Sequence, residues 1–227
     1  MNTTNKILNH QIWHLISLLV LICILQFYIT RNPHILGGSY WNVGTRLWFW
    51  LAVAIPIIHQ IYVLLIWRFE LYKRTFTNRF GLKKAFQIYA VGFSLLFVGR
   101  LIVIIFLALS SKNSLQANPI IAYLVALLIT PPVLFLFYSV KKYFTIERAY
   151  GIDHFDKNYS VPFVKKGIFK YTDNGMYVFG LMILYLPGLL LLSEVALLAA
   201  LFNHVYIWVH YYFTELPDMV EIYGEAP

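Results

Sequence analysis

The sequence predicts an all-α, polytopic membrane helix bundle of about six transmembrane helices ending in a helical hairpin. Three observations carry this. Apolar residues make up 60% of the 227 and charged residues only 12%, against about 45–50% and about 25% in a soluble domain. The apolar residues gather in runs of about 20, the length a helix rising about 1.5 Å per residue needs to cross a hydrocarbon core of about 30 Å. The basic residues collect in alternate connections between those runs, as Lys and Arg do when they are retained on the cytoplasmic side.

In chain order the runs are Trp13 to Ile29, Leu47 to Trp67, Ala85 to Leu109 and Ile120 to Val140. No small-residue cleavage site follows the first run, which reads as a retained anchor rather than a signal peptide. Pro131-Pro132 falls in the middle of the fourth run, where it removes two backbone donors and should kink the helix, which a membrane helix tolerates when neighbours or water satisfy the freed carbonyls. The last stretch, Met176 to Phe213, is too long for one crossing and is interrupted at Pro187-Gly188 and Ser193-Glu194. It reads as a hairpin over 176–213 whose first arm is short. Five spans is the rival count if that arm fails to cross.

The whole chain, 1–227, reads as a single membrane domain without repeats or low-complexity segments. Fourteen Lys and Arg fall on one side, at Lys6 and in the connections after spans two and four. Only Arg31, Arg46 and Lys112 fall on the other, and Arg100 lies within a span. Both termini are therefore expected in the cytoplasm, with 214–227 a cytoplasmic tail. The net charge of +8 comes from juxtamembrane residues, where anionic lipid is the partner rather than nucleic acid. The connection 141–174 mixes seven basic residues with aromatics, a composition suited to the cytoplasmic membrane interface. Cys23 is the single cysteine, so no intramolecular disulfide forms. Oligomeric state is not legible.

Ionisable groups within a bilayer are costly and are functional candidates by default. Arg100 and Glu194 fall at similar depth on the outer side, which predicts a structural ion pair. His59, Gln60, Asn203 and His204 are the polar residues of the second and last spans, and interhelical hydrogen bonding accounts for them. His204 and His210, six apart, point to different faces, so no metal site is expected.

The terminal hairpin brings two polar segments together at its cytoplasmic end. One arm begins with GIFKYTDNGMYVFG, Gly167 to Gly180, and the other leads into TELPDMVEIYG, Thr214 to Gly224. They combine glycines that permit close backbone approach, aromatics that can stack, and carboxylates that can face a cation. The first segment resembles the pattern Gly-φ-aromatic-Arg-aromatic-x-Arg-His-Pro-x-Tyr-x-Gly, with φ apolar, of the integral membrane methyltransferases. That family includes phospholipid N-methyltransferases and isoprenylcysteine carboxyl methyltransferases. The second segment resembles the family's closing Glu-Glu-x-x-φ stretch. The likeness covers about the last 60 residues.

The resemblance implies S-adenosylmethionine as methyl donor, bound at the cytoplasmic end, and a membrane lipid as substrate. It implies donor contacts from Lys170, Asn174, Tyr177, Gly180 and Glu215. Lys170 stands where the family has Arg, Asp173-Asn174-Gly175 where it has Arg-His-Pro, and Thr214 where it has the first acid. A neutral amine must attack the methyl group, so an ammonium must first lose a proton; His210 and Asp218 are the candidate catalytic groups. The implied activity is methylation of a lipid amine, with phosphatidylethanolamine as acceptor. The alternatives are carboxyl methylation of a lipidated cysteine, or a scaffold or transporter with a degenerate donor site.

Overall fold

The computed structural model describes residues 3–159 and 161–224, so the expected tail is seen as far as Gly224 and its last three residues lie outside the described part. Among the described residues five helices are long and apolar enough to cross a membrane: Asn5–Arg31, Thr45–Lys73, Leu82–Ser110, Pro119–Phe144 and Glu194–Tyr223. Several extend well past the apolar runs that announce them. Arg68 and Glu70, which by sequence begin a loop, lie on the second helix and are buried.

A sixth, shorter apolar segment is Gly175–Leu190. Its middle, Gly180–Tyr185, is wound as a 3-10 helix between α-helical turns at Gly175–Phe179 and Leu186–Leu190. The tighter winding rises about 2.0 Å per residue instead of about 1.5 Å, so the segment reaches about 27 Å, close to the hydrocarbon thickness of about 30 Å. Pro187 does not break it, because it sits in the first turn of Leu186–Leu190, where its missing N–H bonds nothing. The chain reverses just after, at Leu191 to Ser193, with Leu192 in the left-handed region at φ 52°. Gly188 lets the two arms close: a Cβ there would stand 2.7 Å from Leu197 Cδ2.

The last helix is the centre of the bundle. Val195, Ala196, Ala199 and Ala200 are fully buried and pack with Phe49 and Ala52 of the second span and Ile104, Leu107 and Ala108 of the third. Small side chains allow helix axes to approach where lipid provides no hydrophobic drive between helices. The outward faces stay apolar, with Leu95 at 70% and Leu128 at 73% exposure. The fourth helix continues through Pro131 and Pro132 to Ser139. Between the first two spans a two-residue hairpin pairs Ser39 with Gly44, its turn formed by Trp41 and Asn42 at positive φ.

Two π-helical turns follow long helices, Val140–Phe144 after the fourth and Tyr211–Glu215 within the last. A π turn inserts an extra residue and re-aims the side chains beyond it. Both lie at the end of the bundle where Tyr177 meets Glu215.

Candidate active site

The hairpin returns the chain to its starting end, so that Tyr177 on the first arm and Glu215 at the end of the second arm's π turn meet. The Tyr177 hydroxyl donates to the Glu215 carboxylate. Both line a cavity of about 50 Å³, together with Asp173, Asn174, Tyr211 and Arg148 and an aromatic wall of Phe144, Phe163 and Phe169. Arg148 is 5% exposed. Its guanidinium stands 4.9 Å from the Phe144 ring centre and donates to Pro162 O at 2.8 Å and Val161 O at 3.4 Å, fixing that stretch against the site. Gly167, at φ +61°, brings its backbone onto the fourth helix, where a Cβ would clash with Ser139 Oγ at 2.5 Å. The Ile168 N–H donates to that same oxygen at 3.0 Å.

Beside the cavity lies a buried polar network. Arg68 Nε donates to Asp218 Oδ1 at 3.1 Å, and its other nitrogens donate to the carbonyls of Ile7, Asn9 and Phe213. His154 stacks on Trp67 at 4.1 Å between centroids, with Nδ1 3.0 Å from Asp153 and Nε2 3.7 Å from Asp218. Tyr223 donates to Asp153 Oδ2 at 2.9 Å. Burial disfavours the charged form of His154, but Asp153 and Asp218 outweigh it and lift its pKa to about 9. Burial likewise pushes Asp153 upward, and His154, Tyr223 and Arg148 together bring it below its ordinary value.

Of the residues named from sequence, Asn174, Tyr177 and Glu215 come together at the cavity. Lys170 is exposed, and Lys165 is engaged by Asp173. Gly180 is buried against the fourth helix, where a Cβ would reach Leu136 at 3.0 Å. Asp218 belongs to the Arg68 network and is 1% exposed. His210 lies in the bundle interior, 5.9 Å from His14 and 6.1 Å from Trp67 between ring centres, with neither nitrogen hydrogen-bonded to a described residue. Neither His210 nor Asp218 lines the cavity.

The expected ion pair of Arg100 with Glu194 does not form. Ser111 Oγ and Ser193 Oγ meet at 2.6 Å, which sets Glu194 level with the end of the third helix. Arg100 lies eleven residues deeper, about 16 Å along the axis. Its Nε and Nη2 have no partner among the described residues, and Glu194 instead accepts from Tyr28 at 2.7 Å.

Arg148 and Tyr211 are site residues that the sequence does not single out, and Asp173 enters the sequence reading only as a departure from the family pattern. The signal for Arg148 is weak: an arginine among loop aromatics, without a spacing that tells a buried cation from an interfacial one.

Residues 120–226 match the family model for phospholipid methyltransferase. This segment is a phospholipid methyltransferase domain. It begins with the fourth span and contains every residue of the cavity, from Phe144 to Met219. Arg68 and the first three spans lie before the phospholipid methyltransferase domain and brace it through Asp218 and the last helix. No curated protein and no solved structure matches the chain.

Proposed function

We propose that the chain is an S-adenosylmethionine-dependent methyltransferase that acts on the amine of a membrane phospholipid, phosphatidylethanolamine being the acceptor. The observation that carries this is the Tyr177–Glu215 pair lining a cavity inside the phospholipid methyltransferase domain. The description of that family favours a phospholipid over a lipidated cysteine. The cavity and both termini face the cytoplasm in this reading, supported by the fourteen basic residues on that side.

The donor set fits such a methyl donor chemically. Glu215 offers a carboxylate to a cationic or hydroxyl-bearing part, Arg148 a cation near the opposite wall, and Phe144, Phe163 and Tyr211 faces for a base. A volume of about 50 Å³ is well below the roughly 300–1,000 Å³ of ligand pockets, so the walls must part on binding. S-adenosylmethionine supplies, when bound, a methyl group on a sulfonium centre.

The chain's own groups handle charge and protons. Glu215 holds the donor, with Tyr177 fixing the carboxylate. Asp173, whose side chain is 41% exposed at the rim and is paired there with Lys165, exchanges that partner for the lipid ammonium and accepts its proton, which passes on to water. The amine is left neutral and nucleophilic. Asp218, held by Arg68, positions the tail that carries Met219.

The purified chain, incubated with donor carrying a labelled methyl and a total lipid extract, is expected to label a phosphatidylethanolamine derivative. Absence of both labelled lipid and donor binding would support a scaffold instead.

A further inference from the structure

At the end of the bundle opposite Glu215, an apolar groove of about 580 Å³ opens between the fourth span, the short segment and the last helix. Val125, Ile129, Leu189, Leu197 and Leu201 form its walls, with Tyr28 and Glu194 at one end and His204 at the other. Ten residues of helix separate Glu194 from His204, about 15 Å, which is half of a hydrocarbon core of about 30 Å. The groove therefore spans one leaflet. A further eleven residues, about 16 Å, separate His204 from Glu215, so the Tyr177–Glu215 cavity belongs to the other leaflet.

Glu194 gives the groove a charged end. One carboxylate oxygen accepts from Tyr28 at 2.7 Å. Among the described residues nothing hydrogen-bonds the other oxygen and no cation pairs with the side chain. A carboxylate at the water end of an apolar slot repels a bare phosphate and favours an N–H-bearing cation, whose bonds to it are charge-assisted. We propose that the groove is a second lipid site, distinct from the methyl-transfer cavity. It takes an acyl chain of a phospholipid with a primary ammonium headgroup, lodged in the leaflet opposite that cavity, the ammonium resting on Glu194. The site does not depend on the chain being a methyltransferase.

The test uses the full chain in lipid nanodiscs with phospholipid probes bearing a photoreactive acyl chain and either an ethanolamine or a glycerol headgroup. Crosslinked peptides are mapped by mass spectrometry, which separates labelling at Leu197 to His204 from labelling near Tyr177 and Tyr211. The ethanolamine probe is expected to label the groove about tenfold more than the glycerol probe, the ratio one charge-assisted hydrogen bond supports. Glu194→Gln should abolish that preference, and Leu201→Trp, on the exposed wall, should reduce labelling by both probes. A choline-headed probe, lacking N–H donors, should label less than the ethanolamine probe on unaltered protein. Equal labelling by headgroup, a preference that survives Glu194→Gln, or labelling indifferent to Leu201→Trp would each overturn the proposal in favour of bulk lipid.

Discussion

Arg68 Nε lies 3.1 Å from Asp218 Oδ1, and each side chain is 1% exposed. The pair ties the second helix to the tail helix Leu216–Tyr223, while the same guanidinium gathers the carbonyls of Ile7, Asn9 and Phe213. Removing one partner of a buried pair strands the other charge and costs about 3–5 kcal/mol. Asp218→Asn should therefore lower the unfolding temperature in detergent substantially. Methyl transfer by the fraction that stays folded should keep its turnover, because Asp218 does not line the cavity. Unchanged stability with lost turnover would move Asp218 into the chemistry.

His154 makes that network sensitive to pH. Its neighbours are Asp153, Asp218 and Trp67, with Arg68 and Tyr223 one contact further. Its pKa in the fold, about 9, is above the unfolded value of about 6.5. The folded state thus binds the proton more tightly, and the stabilisation is complete below about pH 6.5 and lost as pH rises through about 9. Melting temperatures measured from pH 6 to pH 9.5 should fall, and His154→Gln should flatten that slope while lowering the plateau at pH 6. A wild-type curve that is flat over this range would mean that His154 is not held charged.

The helices are legible because apolar runs of spanning length have few other uses, and the hairpin because Met176 to Phe213 exceeds one crossing. The site is legible only where a motif carries it. Tyr177 and Glu215 come from the family likeness, and the fold brings them together. The contact of Asp218 with Arg68 escapes the sequence, which offers Asp218 as a candidate catalytic group, because the two residues are 150 positions apart. The π turn at Tyr211–Glu215, which sets the direction of Glu215, leaves no periodic mark in so apolar a stretch.

Arg100 shows the same limit from the other side. Matching depth in a hydropathy profile suggests Glu194 as its partner, but the side chain is 3% exposed with Nε and Nη2 lacking partners among the described residues. A double-mutant cycle over Arg100→Met and Glu194→Gln should show coupling within about 0.3–0.5 kcal/mol of zero, as for separated sites. Coupling above about 1 kcal/mol would restore the pair.

Glu215 and Tyr177 carry the decisive prediction. The carboxylate lines the cavity and accepts the Tyr177 hydroxyl, so it is already oriented before any ligand arrives. Glu215→Gln keeps the size and removes the charge. If Glu215 holds the donor, affinity for S-adenosylmethionine should fall about tenfold or more, since a hydrogen bond to a charged group contributes about 1.5–3 kcal/mol. Turnover at saturating donor should then stay near wild type, which is the signature of lost binding rather than lost chemistry. Tyr177→Phe leaves the charge but frees the carboxylate to rotate, so its affinity loss should be smaller and in the same direction. Asp173→Asn should behave differently: donor affinity is kept, turnover falls, and raising the pH restores part of it because more of the lipid amine is already neutral. Glu215→Gln with wild-type donor affinity and wild-type turnover would place the donor elsewhere, and the carboxylate would then serve only to hold Tyr177 against the last helix.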